Sequence, residues 1–261
     1  MREFVASVDQ LIPGLLNAVH LTGSGATGDW QHDSDIDLVF ETSRAVTDVD
    51  GAALLSLHAA TAGGHSVDGM YLTAAQIASG PDAIPSAPQV VSGEFGMVRP
   101  DGQLTWVTWL EMRQGRTAPV QSGRLGPWSE PGPGRADDSD VRERAGAASW
   151  ENLRSYWLPY ASDTAERLAG RSDHETVPAE AIEWLALGAQ LLVVTIETGR
   201  AVSKSEAAEF AAGRWPQYAE LLGRVLASRL GESQQFTVSD ARLSVALIRD
   251  CVAQGGGLLE H

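Results

Sequence analysis

Two aspartates, Asp35 and Asp37, bracket the start of a short apolar run, Ile36-Asp37-Leu38-Val39-Phe40, whose composition suits a β-strand. Side chains alternate faces along a strand, so these two carboxylates project from the same side. Held close together, they repel each other unless a cation neutralises them. Hard oxygen donors of this kind suit Mg2+, which binds through one or two carboxylates and completes its shell with substrate phosphates. Just upstream, Gly23 and Ser24 sit in a glycine-rich turn that can offer backbone N–H groups and a hydroxyl to those phosphates, with no large side chain in the way. Gly23 and Gly28 have the spacing of a P-loop, but Asp29 and Trp30 stand where that motif needs lysine and then serine or threonine. The chemistry expected is therefore metal-assisted work on phosphates without a P-loop.

The elements that must position these residues are a mixture of helices and short strands. Val5, Val8, Leu11, Leu15 and Leu16 have helical spacing over residues 4–18, although Pro13 interrupts them. Residues 36–40 and 66–72 read as strands, with a helix over 50–62 between them. Residues 121–140 collect Gly123, Gly126, Pro127, Pro131, Gly132, Pro133 and Gly134, then Asp137, Asp138 and Asp140, which is the composition of a linker. Beyond it, residues 150–157, 179–198, 205–229 and 239–253 read as helices, and Gly199 is placed for a left-handed C-cap. The expected architecture is an α/β domain with a small mixed sheet over residues 1–135, followed by an all-α helical bundle over 136–261.

Composition narrows the function. Of 261 residues, 43% are hydrophobic and 20% charged, enough to bury a large core. With 19 basic and 34 acidic residues the formal charge is −15, which disfavours nucleic acid and anionic membrane surfaces as partners. Two readings of that acidity stand: attraction of a cationic or metal-chelated partner, or solubility alone. Cys251 is the one cysteine, so no intrachain disulfide forms and a reducing cytoplasm fits. No leader is expected from Met1-Arg2-Glu3-Phe4, and the most apolar stretch, residues 184–196, is too short to cross a bilayer.

The order Gly23-Ser24, then Ser34-Asp35-Ile36-Asp37-Leu38 about ten residues on, resembles the signature of the DNA polymerase β-like nucleotidyltransferase superfamily. That resemblance implies that Asp35 and Asp37 hold metal ions and that a third carboxylate arrives from a neighbouring strand. Asp68, in Val67-Asp68-Gly69-Met70, is the matching acid. Within the superfamily the chain is most similar to aminoglycoside adenylyltransferases of the streptomycin and spectinomycin type, which carry a helical C-terminal domain. Glu197-Thr198-Gly199-Arg200-Ala201-Val202-Ser203-Lys204 matches a run in that family whose lysine contacts ATP phosphates, and Lys204 is the only lysine in this chain. Helix capping or simple surface exposure is the alternative for Lys204. Trp109-Leu110 resembles a pair whose tryptophan lines the antibiotic site; core packing is the alternative there.

Taken as a whole, the resemblance implies transfer of AMP from ATP to a hydroxyl of a small cationic acceptor, with two Mg2+ ions. Asp35, Asp37 and Asp68 would form the catalytic metal set, and Asp68 is a candidate general base. Gly23, Ser24, Ser34 and Lys204 would contact the nucleotide, the helical domain closing the cleft. Several departures weaken the drug-specific part. Ala181 and Trp184 replace an aspartate and a histidine that face the aminoglycoside in the family, and Leu191 replaces a phosphate-contacting arginine. Asp68 is one methylene shorter than the family's glutamate. Glu180 and Glu183 are candidate substitute contacts for a cationic acceptor, or else ordinary charges at a helix start. The rival expectation is a nucleotide-binding regulator on the same fold, without transfer.

Overall fold

Pro13 and Gly14 decide how the chain begins. In the computed structural model, which describes residues 1–31, 34–61, 67–91, 94–98, 104–130 and 138–259, helix α1 covers only Arg2–Leu11. Gly14 turns through a positive φ of 70°, and the chain continues as strand β1, Leu16–Leu21. The helix expected to reach residue 18 therefore stops early, because a proline inside a helix loses its N–H and clashes with the preceding turn. Leu15 and Leu16, which fitted helical spacing, are buried in the core of the sheet unit.

From β1 the order runs α2 (Gly23–Thr27), β2 (Ile36–Thr42), α3 (Asp48–Thr61), β3 (Val67–Thr73), α4 (Ala74–Ser79), β4 (Ala87–Val91), β5 (Glu94–Val98), α5 (Trp106–Gln114), β6 (Thr117–Gln121) and β7 (Arg124–Leu125). Ser66, expected at the head of the second strand, lies outside the described residues. The strands form one seven-stranded sheet in the order β5-β4-β3-β2-β1-β6-β7. Among the described residues only β2 and β3 pair in parallel; the other neighbours are antiparallel, so the sheet is mixed. Parallel neighbours need a long crossover, and α3 supplies it. The strands β4 to β7 escape the hydrophobic pattern because they are short and carry Pro88, Gly96 and Pro119.

Beneath β2 and β3, Phe4, Phe40, His58 and Tyr71 form an aromatic cluster, Phe40 and Tyr71 stacking at 4.6 Å. The His58 ring is buried between two polar partners, Val67 O at 2.8 Å and Tyr71 Oη at 2.7 Å. A carbonyl can only accept, so Nδ1 carries the proton and Nε2 receives the tyrosine hydroxyl. Burial lowers the His58 pKa and favours this neutral form.

The chain divides into two compact units, Met1–Val141 and Arg142–His261, and the division falls inside α6 (Ser139–Asn152). The boundary expected at 135/136, and Asp137 with it, lies in residues 131–137, outside those described. Asp138, expected in a solvated linker, is buried, with Arg113 at 3.7 Å.

In the second unit, α6 runs through a π-helical turn, Leu153–Trp157, into α7 (Leu158–Leu168). Then follow β8 (Thr176–Val177), α8 (Ala179–Leu187), α9 (Ala189–Thr198), α10 (Lys204–Arg214), α11 (Ala219–Arg229), β9 (Phe236–Thr237) and α12 (Val238–Leu259). Among the described residues the unit is the expected helical one, with a single two-residue ladder of β8 with β9 added to it. Pro216 divides the helix expected over 205–229. Gly188 bends the one expected over 179–198, where the Trp157 ring occupies the space a Cβ would need. By length and composition alone, Ala179–Thr198 would suffice to span a bilayer, a longer stretch than residues 184–196; half of it is buried within the protein. Gly199 adopts the expected left-handed cap, φ 63°, its N–H donating to Thr195 O.

Candidate active site

Strand pairing brings the two halves of the acidic set together. In the parallel ladder Asp37 of β2 is the register partner of Asp68 of β3. Paired residues in adjacent strands face the same side of the sheet at about 5 Å spacing, so these two carboxylates are neighbours. Asp35 lies one residue before β2 rather than within it, and it is exposed. Asp37 is partly exposed and Asp68 is buried, so the three acids run from solvent into the sheet.

The glycine-rich turn closes over this edge. The Thr22 N–H donates to the Asp37 carbonyl at 3.0 Å. Gly23 follows with φ 58°, and a Cβ there would lie 2.2 Å from Asp37 Oδ2. Any side chain at 23 would strike the carboxylate. The turn continues as the five-residue α2, ended by Gly28 in the left-handed region. Ser34 belongs to the loop that delivers Asp35: its Oγ accepts the Gln31 N–H at 3.0 Å, and its carbonyl accepts the Trp30 indole N–H at 3.1 Å.

A fourth acid stands here that the sequence reading missed. Glu111, on α5, accepts the Gly23 N–H at 3.2 Å through Oε2. Burial, with the Asp37 charge adding to it, pushes the Glu111 pKa up to about 7, while the Gly23 hydrogen bond works in the opposite direction. The available signal was an acid within a run whose neighbours Trp109, Leu110 and Met112 are all apolar. This contact also revises the expected phosphate contacts. The Gly23 amide already has an anionic partner inside the protein.

Trp109 does not line a binding surface. It is 1% exposed, and its indole N–H donates to Ile77 O at 2.9 Å, so it is a core residue that anchors α5. Lys204 is the first residue of α10 and is exposed, with Ser203 as N-cap accepting the Glu206 N–H. Glu197 and Arg200, from the run that carried the resemblance, form local ion pairs: Glu197 with Arg214 at 2.8 Å and Arg200 with Glu206 at 3.2 Å. Glu180 is exposed in the first turn of α8, and Glu183 accepts the Ser228 hydroxyl at 3.1 Å. Trp184 is 49% exposed and leans on Trp157 at 5.7 Å.

Among the described residues, no three His, Cys, Asp or Glu side chains are gathered as a ready-made metal cluster. Asp35, Asp37 and Asp68 at the β2–β3 edge are nonetheless all carboxylates, and Gly23 approaches Asp37 without a side chain of its own. That fits a hard cation whose remaining ligands come from a phosphate.

Residues 1–61 match the model of a nucleotidyltransferase domain, a segment that contains Gly23, Ser24, Ser34, Asp35 and Asp37 but not Asp68. The first unit resembles the DNA polymerase β-like nucleotidyltransferases. Among solved structures, the spectinomycin adenyltransferase AAD(9) from Enterococcus faecialis, crystallised with ATP and spectinomycin, is similar with a TM-score of 0.59. The likeness covers 96% of this chain and 98% of that one, at 16% identity, and establishes a shared fold. No curated protein matches the sequence. The domain match and the shared fold together support a transferase enzyme of nucleotidyltransferase type.

Proposed function

We propose that the protein transfers AMP from ATP to a hydroxyl of a small, cationic acceptor and releases pyrophosphate, acting in the cytoplasm. The observation that carries this reading is the register pairing of Asp37 with Asp68 beneath a glycine turn that leaves no room for a side chain. Asp35, Asp37 and Asp68 would hold Mg2+. When bound, Mg2+ neutralises the triphosphate and orients the α-phosphate for in-line displacement.

The chain's own residues divide the remaining tasks. Ser24 and Gly25 follow Gly23 at the start of α2, where amides have no intrahelical partner, and would donate to phosphate oxygens. Asp68, buried in the sheet beside Asp37, would accept the proton of the attacking hydroxyl. Lys204 adds positive charge for the phosphates, a role taken from the family resemblance. The acceptor's cationic character rests on the net charge of −15 and on Glu180 and Glu183. Spectinomycin, bound in the similar structure, is the first acceptor to test.

The burial of Trp109 favours one competing detail, an acceptor other than the family's drugs, since the aromatic platform expected for them is in the core. The test is incubation with Mg2+, each nucleoside triphosphate and a panel of aminoglycosides and aminocyclitols, read by mass spectrometry. A nucleotide-sized gain on one acceptor, absent without Mg2+, is the expected result. Mg·ATP binding with no transfer to any acceptor would instead indicate a nucleotide-binding regulator.

A further inference from the structure

Glu111 is an expensive way to satisfy one amide. A carboxylate withdrawn in part from water loses hydration, and the charge of a second carboxylate, Asp37, acts on this one as well. A neutral acceptor would take the Gly23 N–H at far smaller cost. The position is also rigidly built. Thr105 caps α5 by accepting the Thr108 N–H, Trp109 bonds to Ile77 O, and Leu110 is fully buried. At the helix end Gly115 packs so tightly that a Cβ would meet Leu21 O at 2.8 Å and Ala26 Cβ at 3.3 Å. The helix bearing Glu111 is thus seated directly on the turn that follows β1.

We propose that Glu111 is the positioning residue of the glycine turn: its carboxylate, by accepting the Gly23 N–H, holds that turn closed against Asp37. Gly23 sits in the left-handed region and has only backbone to fix it, so an anchor on its amide sets where the next two amides point. It also fixes the gap over the Asp37 carboxylate, in which a Cβ would come within 2.2 Å of Oδ2. With Glu111 on the Gly23 amide, phosphate recognition starts at Ser24. The consequence for nucleotide binding rests on the function proposed above; the anchoring itself does not.

Two measurements on the purified full chain separate these parts. The first is amide hydrogen exchange across residues 21–28 without nucleotide, comparing wild type, Glu111→Gln and Glu111→Ala. Gln keeps an oxygen acceptor and should retain protection within about threefold, whereas Ala should accelerate exchange at Gly23 by roughly tenfold or more, the loss of one partly buried hydrogen bond. The second is calorimetric titration with Mg·ATP, where Ala should weaken binding by about tenfold and Gln should restore most of it. Thermal melts confirm that each variant is folded; if Ala does not fold, Glu111→Ser, too short to reach the amide, replaces it. Equal exchange in wild type and the truncated variant overturns the proposal. Accelerated exchange with unchanged Mg·ATP affinity, where wild type binds nucleotide, keeps the anchoring and overturns its consequence for phosphate recognition. If wild type binds no Mg·ATP, the functional reading falls, and the exchange comparison alone decides whether Glu111 holds the turn.

Discussion

Two acids in the first unit, Asp50 buried and Glu111 partly buried, are treated in opposite ways. Asp50, at the start of α3, accepts a fork from Arg44 at 2.5 and 3.1 Å and two further hydrogen bonds from Thr47, at its N–H and its hydroxyl. Those partners, the arginine first, hold its carboxyl well below the ordinary range. Glu111 receives one backbone N–H and faces Asp37, and burial drives its pKa up to about 7. The fold stabilises the first charge with every donor nearby and strains the second. Asp240, in the first turn of α12, repeats the Asp50 pattern in the other unit, with Arg224 at 2.8 Å and the Thr237 N–H. Acids that serve architecture are fully paired at helix starts. An acid kept at a cost, beside a carboxylate pair and a glycine turn, marks the place where chemistry is expected.

The largest effect should come from the acid pair. Asp37→Asn is expected to cut nucleotidyl transfer at least about 100-fold, since even indirect supports of a metal site cost 10- to 100-fold, while leaving the melting temperature unchanged or higher. Transfer at the wild-type rate would remove Asp37 from the metal set. Next comes Glu111→Gln in metal-free buffer. The folded pKa of Glu111 lies above its ordinary value of 4.5, so the native state binds the extra proton and stability falls as pH rises from about 4.5 through about 7. Replacing it with Gln should raise stability at pH 8 by up to roughly 3 kcal/mol and make little difference near pH 4. Denaturant titrations at the two pH values check this, and a destabilised variant at pH 8 would erase the contrast with Asp50.

Asp50→Asn should go the other way. It loses about 1–2 kcal/mol at neutral pH, because the Arg44 fork and the Thr47 contacts are weakened. The folded pKa of Asp50 is depressed, so its contribution is present above the ordinary 3.8 and fades as pH falls through the folded value. Wild type and variant should therefore converge in acid, which thermal melts over a descending pH series would reveal.

Much of the site was written in residue types. Asp35 and Asp37 two apart on a strand-forming run, behind a Gly-Ser turn, announce a cation and a phosphate without any structure. Asp68 was legible as an acid on the right kind of segment, but its partnership with Asp37 depends on β2 and β3 pairing in parallel, which one sequence does not spell out. Glu111 was not legible because its meaning comes from a contact 88 residues away along the chain. Trp109 misled for a related reason: an indole beside acids suits a cation, and only the Ile77 carbonyl bonded to its N–H reveals that it faces inward. In the fold, Pro13 marks the interruption, but the apolar spacing that continues past it to Leu16 mimics a helix and conceals the start of β1.

The parallel pairing of β2 with β3 makes the acid partnership a matter of main-chain hydrogen bonding rather than of side-chain choice. A slip of a single residue would set Val67 or Gly69 opposite Asp37 and leave the sheet almost as well bonded as before. Insertions in the crossover are thus tolerable only where they leave that alignment intact. The two aspartates can drift apart in the gene to any extent the intervening helix allows, provided the ladder keeps its count.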